Sequence, residues 1–587
     1  MASSVTIEGG EIRLDGQPYR VLSGALHYFR VHPEQWEHRL RMLRAMGLDC
    51  VETYVPWNLH EPREGVYEFS GIADLERFLE LAAEVGLNAI VRPGPYICAE
   101  WDAGGLPTWL LARRDVALRC ADPRYLEVVD AWFGELIPRI AAHQVTRGGN
   151  VIMVQVENEY GSYGSDKTYL RHVKALLERH GIEVPLFTSD GPSDLMLTGG
   201  IVDDVVATVN FGSRAAESFA ELRKVRATDP LFCMEFWCGW FGHWGTDVPA
   251  RPAAEVAGEL AAILDEGASV NIYMAHGGTN FAGWSGANRG GQLHDADYKP
   301  TITSYDYRAP IDELGRPTEL FTAMREVMVA RGAQAAPLPE ASPLLPLTEV
   351  TLTQSADLLS FLRDDPDLTR VEAASPLSFE ELGLQYGLVL HTATVPGPRR
   401  EQHLHLDGLA DRAHVLVDGV LAGVLSRDGD SSLPLAVTSE SAGVEILVEG
   451  MGRVNYGPNQ RDLKGLRGVR HERQYVHGFT QTLLDLSTPP AVTWTDGAEP
   501  GVEPRLYRGE FEVTEPGDTL VVLDSWTKGH LWVNGFALGR YWNIGPQQSL
   551  YVPGPILRPG RNEIVILELD GTSATTVTLD ATTRDRG

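Results

Sequence analysis

The chain has 587 residues, of which 50 are basic and 80 acidic, so its formal net charge is −30. A charge this negative disfavours nucleic acids and anionic membranes as partners. Hydrophobic residues make up 43% and charged residues 22%, which is typical of globular domains and excludes a disordered or fibrous chain.

The sequence also bears on cellular location and on cofactors. No apolar run approaches the roughly 18 residues of a transmembrane helix, and the first residues, MASSVTIEGG, lack the basic and apolar regions of a secretory signal. The five cysteines are an odd number and no CxxC pair occurs, so neither a disulfide framework nor a zinc site is indicated. We therefore expect a cytoplasmic protein with reduced thiols and with no metal or other cofactor.

Strand-like and helix-like patterns alternate along the N-terminal part of the chain. A hairpin with the turn Asp15-Gly16 comes first, and eight apolar runs that read as strands follow it. These runs are 21–29, 48–57, 87–96, 150–160, 184–191, 205–212, 230–237 and 269–278. Amphipathic stretches of helical spacing separate them, which predicts a (β/α)8 barrel. The alternative is an open doubly wound sheet, which the absence of a GxGxxG or Walker motif disfavours.

The pattern changes at the proline-rich segment 333–347, which we interpret as a linker. Beyond it, alternating residues and Gly, Asp and Pro turns indicate two or three β-sandwich domains. The turns Asp418-Gly419 and Asn534-Gly535 lie in similar stretches that are offset by 116 residues, which predicts two copies of one domain.

The predicted domains are a barrel (1–332), the linker, a middle sandwich (386–485) and a C-terminal sandwich formed by 348–385 and 486–587. Two roles for the sandwiches stay open at this point. We favour a structural role, in which they cover the barrel, and the alternative is that they bind sugars themselves.

The active site of a (β/α)8 barrel lies at the C-terminal ends of its strands. The fourth predicted strand ends in Glu157-Asn158-Glu159 and the seventh ends at Glu235, so carboxylates from two strands can converge there. Strand alternation places residues 157 and 159 on the same side and does not choose between them. We interpret Glu157 as structural and paired with Arg92. For Glu159 and Glu235 the alternative to a catalytic role is a structural ion pair with a buried arginine. The aromatic residues beside both glutamates disfavour this alternative.

Two converging carboxylates are what hydrolysis of a glycoside requires, because one donates a proton to the leaving oxygen and an ionised one attacks or stabilises the anomeric carbon. Aromatic rings that stack on the C–H face of a sugar, and polar groups that bind its hydroxyls, also follow the strand ends. They include Tyr54, Trp57, Asn58, Tyr96, Glu100, Trp101, Asn210, Asn280, Tyr305 and Tyr307.

Several long motifs at these positions resemble family 35 of the glycoside hydrolases, the β-galactosidases of lysosomal and bacterial type. The barrel motifs are GALHYFRVHPEQWEHRL, ETYVPWNLHEP, RPGPYICAEWDAGGLPTWL, QVENEYGSYG, MEFWCGWFGHWG, GGTNFAGWSGAN and TSYDY. In the tail, DRAHVLVDG, MGRVNYGPN and GRYWNIGPQQSLYVPG also match. The resemblance covers nearly the whole chain and implies a barrel followed by jelly-roll, galactose-binding-like β-sandwiches.

The resemblance implies a retaining mechanism in which Glu159 is the acid/base and Glu235 is the nucleophile. The galactose-binding positions it implies are Tyr54, Ala99 (through its backbone), Glu100, Asn158, Trp237 and Tyr307. Two positions depart from the lysosomal members, because Trp237 stands where they have tyrosine and Arg308 where they have aspartate. These departures bear on the fine sugar specificity and not on the class of reaction.

The expected function is that of a retaining exo-β-galactosidase acting on terminal β-galactosyl residues of oligosaccharides or glycosides. One alternative is another exo-β-glycosidase on the same frame, such as a β-glucosaminidase or a β-glucosidase. The other is a non-catalytic protein that binds sugars. A homo-oligomer is compatible with the sequence.

Overall fold

The computed structural model describes residues 3–289, 298–498 and 500–582. A small antiparallel sheet opens the chain and consists of β1 (Val5–Glu8), β2 (Glu11–Leu14) and β3 (Gln17–Pro18). Asp15 and Gly16 join β2 to β3 and both have positive φ, as an Asp-Gly hairpin turn requires.

Eight parallel strands then close into a barrel, with each predicted apolar run containing one strand. They are β4 (Leu22–Leu26), β5 (Cys50–Tyr54), β6 (Asn88–Arg92), β7 (Val151–Gln155), β8 (Leu186–Asp190), β9 (Val206–Phe211), β10 (Phe232–Trp237) and β11 (Ser269–His276). Nearly all of their residues are buried, because side chains fill the interior and helices cover the outside. The prediction of a (β/α)8 barrel is confirmed.

The helices cover the barrel with their apolar faces, except the last, which packs against the β units. In chain order the helices are α1 (Trp36–Met46), α2 (Trp57–His60), α3 (Leu75–Val85), α4 (Thr108–Ala112), α5 (Pro123–Ala142), α6 (Tyr160–Tyr163), α7 (Lys167–Arg179), α8 (Asp194–Gly200), α9 (Ala215–Val225), α10 (Ala253–Asp265), α11 (Glu319–Val329) and α12 (Leu358–Asp364). Asp122 and Asp166 accept backbone N–H groups at the starts of α5 and α7, as good N-caps do. None of the helices in the described residues combines the length and the apolar character needed to span a membrane.

The remaining strands are antiparallel and most of them lie beyond the barrel. In chain order they are β12 (Ala287–Arg289), β13 (Tyr298–Pro300), β14 (Thr348–Asp357), β15 (Arg370–Ala373), β16 (Gly387–Pro396), β17 (Arg399–Asp407), β18 (Arg412–Val417), β19 (Val420–Ser426), β20 (Ser432–Val437), β21 (Ser441–Glu449), β22 (Gly468–His471), β23 (Gln474–Tyr475), β24 (Phe479–Asp485), β25 (Thr495–Asp496), β26 (Arg505–Val513), β27 (Thr519–Val522), β28 (Lys528–Val533), β29 (Phe536–Trp542), β30 (Ser549–Val552), β31 (Gly560–Glu568) and β32 (Thr576–Leu579).

Two β units follow the barrel, which confirms the predicted β-sandwich domains. In the middle unit, a six-stranded sheet (β15-β24-β16-β21-β18-β19) and a four-stranded sheet (β20-β17-β22-β23) enclose one apolar core. In the C-terminal unit, a nine-stranded sheet formed by β14 and β25–β32 surrounds a second core. A further cluster, which includes Leu390, Leu447 and Trp532, packs between the two units.

The two matching turns occupy equivalent places in these units. Asp418-Gly419 joins β18 to β19 and Asn534-Gly535 joins β28 to β29, and all four residues have positive φ. One strand lies elsewhere than the predicted boundaries imply, because β15 pairs with β24 in the middle unit. Its partner is distant in sequence, and a short alternating pattern does not reveal which sheet a strand joins. The exact domain boundaries stay a prediction.

Candidate active site

The C-terminal ends of the barrel strands enclose a cavity of about 210 Å³. Its walls are mostly aromatic and carboxylate side chains from several strands and loops. They are Tyr54, Cys98, Ala99, Glu100, Asn158, Glu159, Glu235, Trp237, Trp240, Phe241, Tyr273, Asn288, Tyr307 and Tyr456. The residues that the family resemblance assigns to catalysis or galactose binding therefore share one cavity. The other candidates at the strand ends do not line it, namely Trp57, Asn58, Tyr96, Trp101, Asn210, Asn280 and Tyr305.

Glu235 lies on β10, lines this cavity and is otherwise buried. Three donors surround its carboxylate. Arg92 Nη2 and the Tyr54 hydroxyl each lie 2.7 Å from Oε1, and the indole Nε1 of Trp237 lies 3.1 Å from Oε2. An arginine and two further donors are the hydrogen-bonding partners that suit a carboxylate nucleophile.

Arg92 ends β6 and pairs with Glu235, so the prediction that it pairs with Glu157 is wrong. Glu157 instead accepts two hydrogen bonds from the Arg119 guanidinium, at 2.7 and 2.8 Å, and a third from the Tyr169 hydroxyl at 3.0 Å. Its carboxylate is fully buried and outside the cavity. Glu157 thus has the structural surroundings that the sequence suggested, but with a different partner.

The backbone after β7 explains why alternation did not distinguish the two glutamates. β7 ends at Gln155, and Glu157 and Glu159 both have left-handed backbones, with φ of 60° and 44°. The rule that places alternate residues on one side applies only to extended chain. The two side chains therefore diverge, with Glu157 directed to Arg119 and Glu159 to the cavity.

Glu159 has a different electrostatic setting from Glu235. Burial raises the pKa of Glu159 to about 8, and the negative charge of Glu235 acts in the same direction. Asn210 Nδ2, which lies 3.1 Å from Oε1, opposes this shift because it donates to the ionised form. The raised pKa favours the protonated carboxyl of Glu159, which is the form that can donate a proton.

Asn158 is fixed at the cavity wall by its protein partners. Its Oδ1 lies 2.8 Å from both the Tyr54 hydroxyl and Arg92 Nη2, and its Nδ2 donates to the carbonyl of Ile97 at 3.1 Å. The Tyr54 hydroxyl thus bridges Asn158 and Glu235. These contacts hold the amide and the phenol at the cavity wall in one orientation.

The loop after β6 presents Ala99 and Glu100 to the cavity in an unfavourable backbone conformation. Cys98, Ala99 and Glu100 have φ of 59°, 54° and 48°, a region that costs a non-glycine residue about 1–3 kcal/mol. Glu100 Oε2 accepts a hydrogen bond from the Tyr305 hydroxyl at 2.5 Å. Burial raises the pKa of Glu100 to about 7. Left-handed residues of this kind cluster at functional sites.

The two departures from the lysosomal pattern have different places. Trp237 lines the cavity and donates to Glu235, whereas Arg308 is outside the cavity wall and half-buried. Arg308 Nη2 donates to the carbonyl of Val248 at 3.3 Å. Of the two, only Trp237 is in a position to contact a sugar in this cavity.

Sequence reasoning missed several lining residues, namely Trp240, Phe241, Tyr273, Asn288 and Tyr456. Trp240, Phe241 and Asn288 stand within the quoted barrel motifs, so the signal was present but was not assigned to the site. Tyr456 comes from the middle β unit, between β21 and β22. A β unit therefore contributes directly to the cavity, beyond merely covering the barrel.

A closed parallel barrel with carboxyls from different strand ends in one aromatic-lined cavity is typical of a glycoside-hydrolase site. The model of the family described as "Glycosyl hydrolases family 35" matches residues 11–330, and this chain belongs to that family. It is therefore a glycoside hydrolase. Two further models match the β units, "Beta-galactosidase, first all-beta domain" at 376–485 and "Beta-galactosidase, galactose-binding domain" at 504–562.

Curated relatives match along nearly the whole chain. The mouse "Beta-galactosidase-1-like protein" is 42% identical over 578 residues, covering 95% of this chain and 88% of the relative. The mouse "Beta-galactosidase" is 40% identical, with 95% of this chain and 90% of the relative covered. The human "Beta-galactosidase" is also 40% identical, with 95% and 86% covered.

Proposed function

We propose that this chain is a retaining exo-β-galactosidase that removes terminal β-galactosyl residues from oligosaccharides or other glycosides. The observation that carries the proposal is the contrast between two of the three carboxyls that line the cavity, Glu159 and Glu235. The carboxylate of Glu235 accepts hydrogen bonds from Arg92 and two further donors. Burial instead raises the pKa of Glu159 to about 8, which favours its protonated form. One anion and one proton donor at neutral pH are what this mechanism requires.

In the first step, Glu235 attacks the anomeric carbon while the proton of Glu159 passes to the glycosidic oxygen, and the bond to the leaving group breaks. A galactosyl ester of Glu235 forms and Glu159 is left ionised. Because the ester is neutral, the charge of Glu235 no longer adds to the effect of burial, so the pKa of Glu159 falls. Glu159 then takes a proton from water, whose oxygen displaces Glu235 with retention of configuration.

The size and lining of the cavity support removal of a single terminal sugar. At about 210 Å³ it is smaller than the 300–1,000 Å³ typical of sites for drug-sized ligands, and it suits one pyranose ring. Tyr54, the Ala99 backbone, Glu100, Asn158 and Tyr307 would bind its hydroxyls and Trp237 would face the ring. The family and the relatives named as β-galactosidases support galactose as that sugar.

The test of the nucleophile is Glu235→Gly assayed with an activated aryl galactoside and added azide. We expect hydrolysis to be lost and α-galactosyl azide to form, because azide enters the space left by the carboxylate. Absence of this product, with the variant folded and able to bind galactose, would remove Glu235 from its role. The matched control is Glu159→Gly, in which azide should give the β-azide.

A panel of nitrophenyl glycosides tests the choice of sugar. We expect kcat/KM to be highest for the β-galactoside. A preference for the β-glucosaminide or β-glucoside would instead support the other exo-β-glycosidases considered from the sequence. Equilibrium binding of galactose with no turnover of any glycoside would favour a binding protein.

A further inference from the structure

A segment of the middle β unit, residues 453–456, packs against the barrel loop 98–104. Arg453 is only 2% exposed. Its backbone N–H and its Nη1 donate to the two carboxylate oxygens of Asp102 at 2.7 and 2.8 Å, and its Nε donates to Glu380 at 2.5 Å. One guanidinium therefore joins a carboxylate of the barrel to a carboxylate of the β unit.

The loop has a backbone conformation that L-residues avoid. Besides Cys98, Ala99 and Glu100, Ala103 also has a left-handed φ, of 56°. Residues other than glycine keep such angles only where the surrounding structure holds them. The presentation of Glu100 to the cavity thus depends on the contacts that hold this loop.

A second set of contacts from the β unit reaches the loop through the main chain. The N–H of Ala287 donates to the carbonyl of Arg453, and the N–H of Asn455 donates to the carbonyl of Ala287, both at 2.9 Å. The neighbouring N–H of Gly286 donates to the carbonyl of Glu100 at 2.8 Å. The β unit is therefore linked to the backbone of Glu100 through one intervening segment.

We propose that Arg453 is a positioning residue of the catalytic site, which acts through Asp102 to hold the loop so that Glu100 faces the sugar. This rests on the proposed function for the identity of the sugar. It assigns the middle β unit a part in substrate binding, since the barrel loop takes its binding conformation against that unit. Affinity for the sugar, and not only folding, then depends on the contact between Arg453 and Asp102.

The experiment compares two near-isosteric substitutions that each remove one carboxylate from Arg453. Asp102→Asn alters the loop side and Glu380→Gln alters the β-unit side, and each leaves the guanidinium one acidic partner. We expect comparable losses in thermal stability. Affinity for a galactose-configured iminosugar, measured by calorimetry, should fall about 10–100-fold for Asp102→Asn, as displaced binding groups do, and less than about threefold for Glu380→Gln.

A double-mutant cycle with Glu100→Gln shows whether the effect passes through Glu100. If Asp102 acts by positioning that carboxylate, the loss on Asp102→Asn should shrink below about threefold once Glu100 is already altered. An equal loss in both backgrounds, or equal losses for Asp102→Asn and Glu380→Gln, would overturn the proposal and leave a purely structural contact. No loss of affinity would also overturn it.

Gln385→Leu provides a milder variant if Asp102→Asn does not fold. The Gln385 side chain donates to Asp102 at 2.7 Å, so its removal loosens the loop while Arg453 stays in place. The double-mutant cycle with Glu100→Gln is then repeated with Gln385→Leu, for which a smaller loss of iminosugar affinity is expected. An equal loss with and without Glu100→Gln again overturns the proposal. If the wild-type chain cleaves a glycoside other than a galactoside, the proposed function fails. The positioning test then uses the iminosugar of the cleaved sugar.

Discussion

The guanidinium of Arg92 lies between two carboxyls, with Nη2 2.7 Å from Glu235 Oε1 and Nη1 3.8 Å from Glu52 Oε1. Glu52 is fully buried, and burial raises its pKa to about 7, with the charge of Glu235 adding to the shift. Arg92 therefore interacts with both the proposed nucleophile, Glu235, and a second acid, Glu52. Burial of Glu52 costs less free energy when its carboxyl is protonated.

Arg92→Met should reduce kcat/KM about 100-fold, because the anion of Glu235 loses its charged partner. Glu52→Gln is the matched control, because it leaves Arg92 beside Glu235, and it should keep kcat/KM near the wild-type value. Equal losses of kcat/KM in Arg92→Met and Glu52→Gln would contradict this role.

Asn210→Ala should move the alkaline limb of the pH profile upward. Asn210 donates to Glu159 and thereby favours its ionised form, so its removal raises the pKa of the proton donor further. The acid then stays protonated, and the enzyme active, to higher pH. The measurement is kcat/KM against pH with one galactoside, and a downward shift of this limb would count against Glu159 as the acid.

Glu159→Ala should affect substrates according to their leaving groups. We expect a loss of about 10²–10⁴ in kcat/KM for an alkyl galactoside, whose oxygen needs a proton, and a much smaller loss for a dinitrophenyl galactoside. Equal losses on the two substrates would assign the acid to another residue. Glu157→Gln, a neighbouring carboxyl outside the cavity, should not discriminate between the leaving groups.

Trp237→Phe tests the indole that donates to Glu235 at 3.1 Å. Loss of this donor should lower kcat about 10-fold, less than the loss expected for the charged Arg92. Trp237→Tyr, which introduces the residue of the lysosomal members, should retain more activity than Trp237→Phe. Equal activity of the Phe and Tyr variants would show that only the ring matters.

Arg119→Met should destabilise the fold and not primarily the chemistry. It leaves the buried carboxylate of Glu157 without its cation, which costs about 3–5 kcal/mol of unfolding free energy. Urea denaturation measures the loss, and the double variant Arg119→Met/Glu157→Leu should recover part of it. A double variant no more stable than Arg119→Met would mean that the unpaired charge is not the cause.

Local patterns were sufficient for the barrel, for the hairpin turns and for the residues that follow the strand ends. Eight apolar runs separated by amphipathic stretches admit few other folds, and Asp-Gly and Asn-Gly turns are read from two residues. Because the strands of a parallel barrel all point their C-terminal ends to one side, Glu159 and Glu235 were predicted to converge without any knowledge of contacts.

Only the tertiary structure decided which arginine forms an ion pair with which glutamate. Arg92 pairs with Glu235 and Arg119 with Glu157, because the chain leaves the extended conformation after Gln155 and strand alternation no longer directs the side chains. The entry of Tyr456 into the cavity and the pairing of β15 with the middle unit join segments that are far apart in sequence. Periodicity describes neighbours along the chain, whereas these contacts depend on how whole domains pack together.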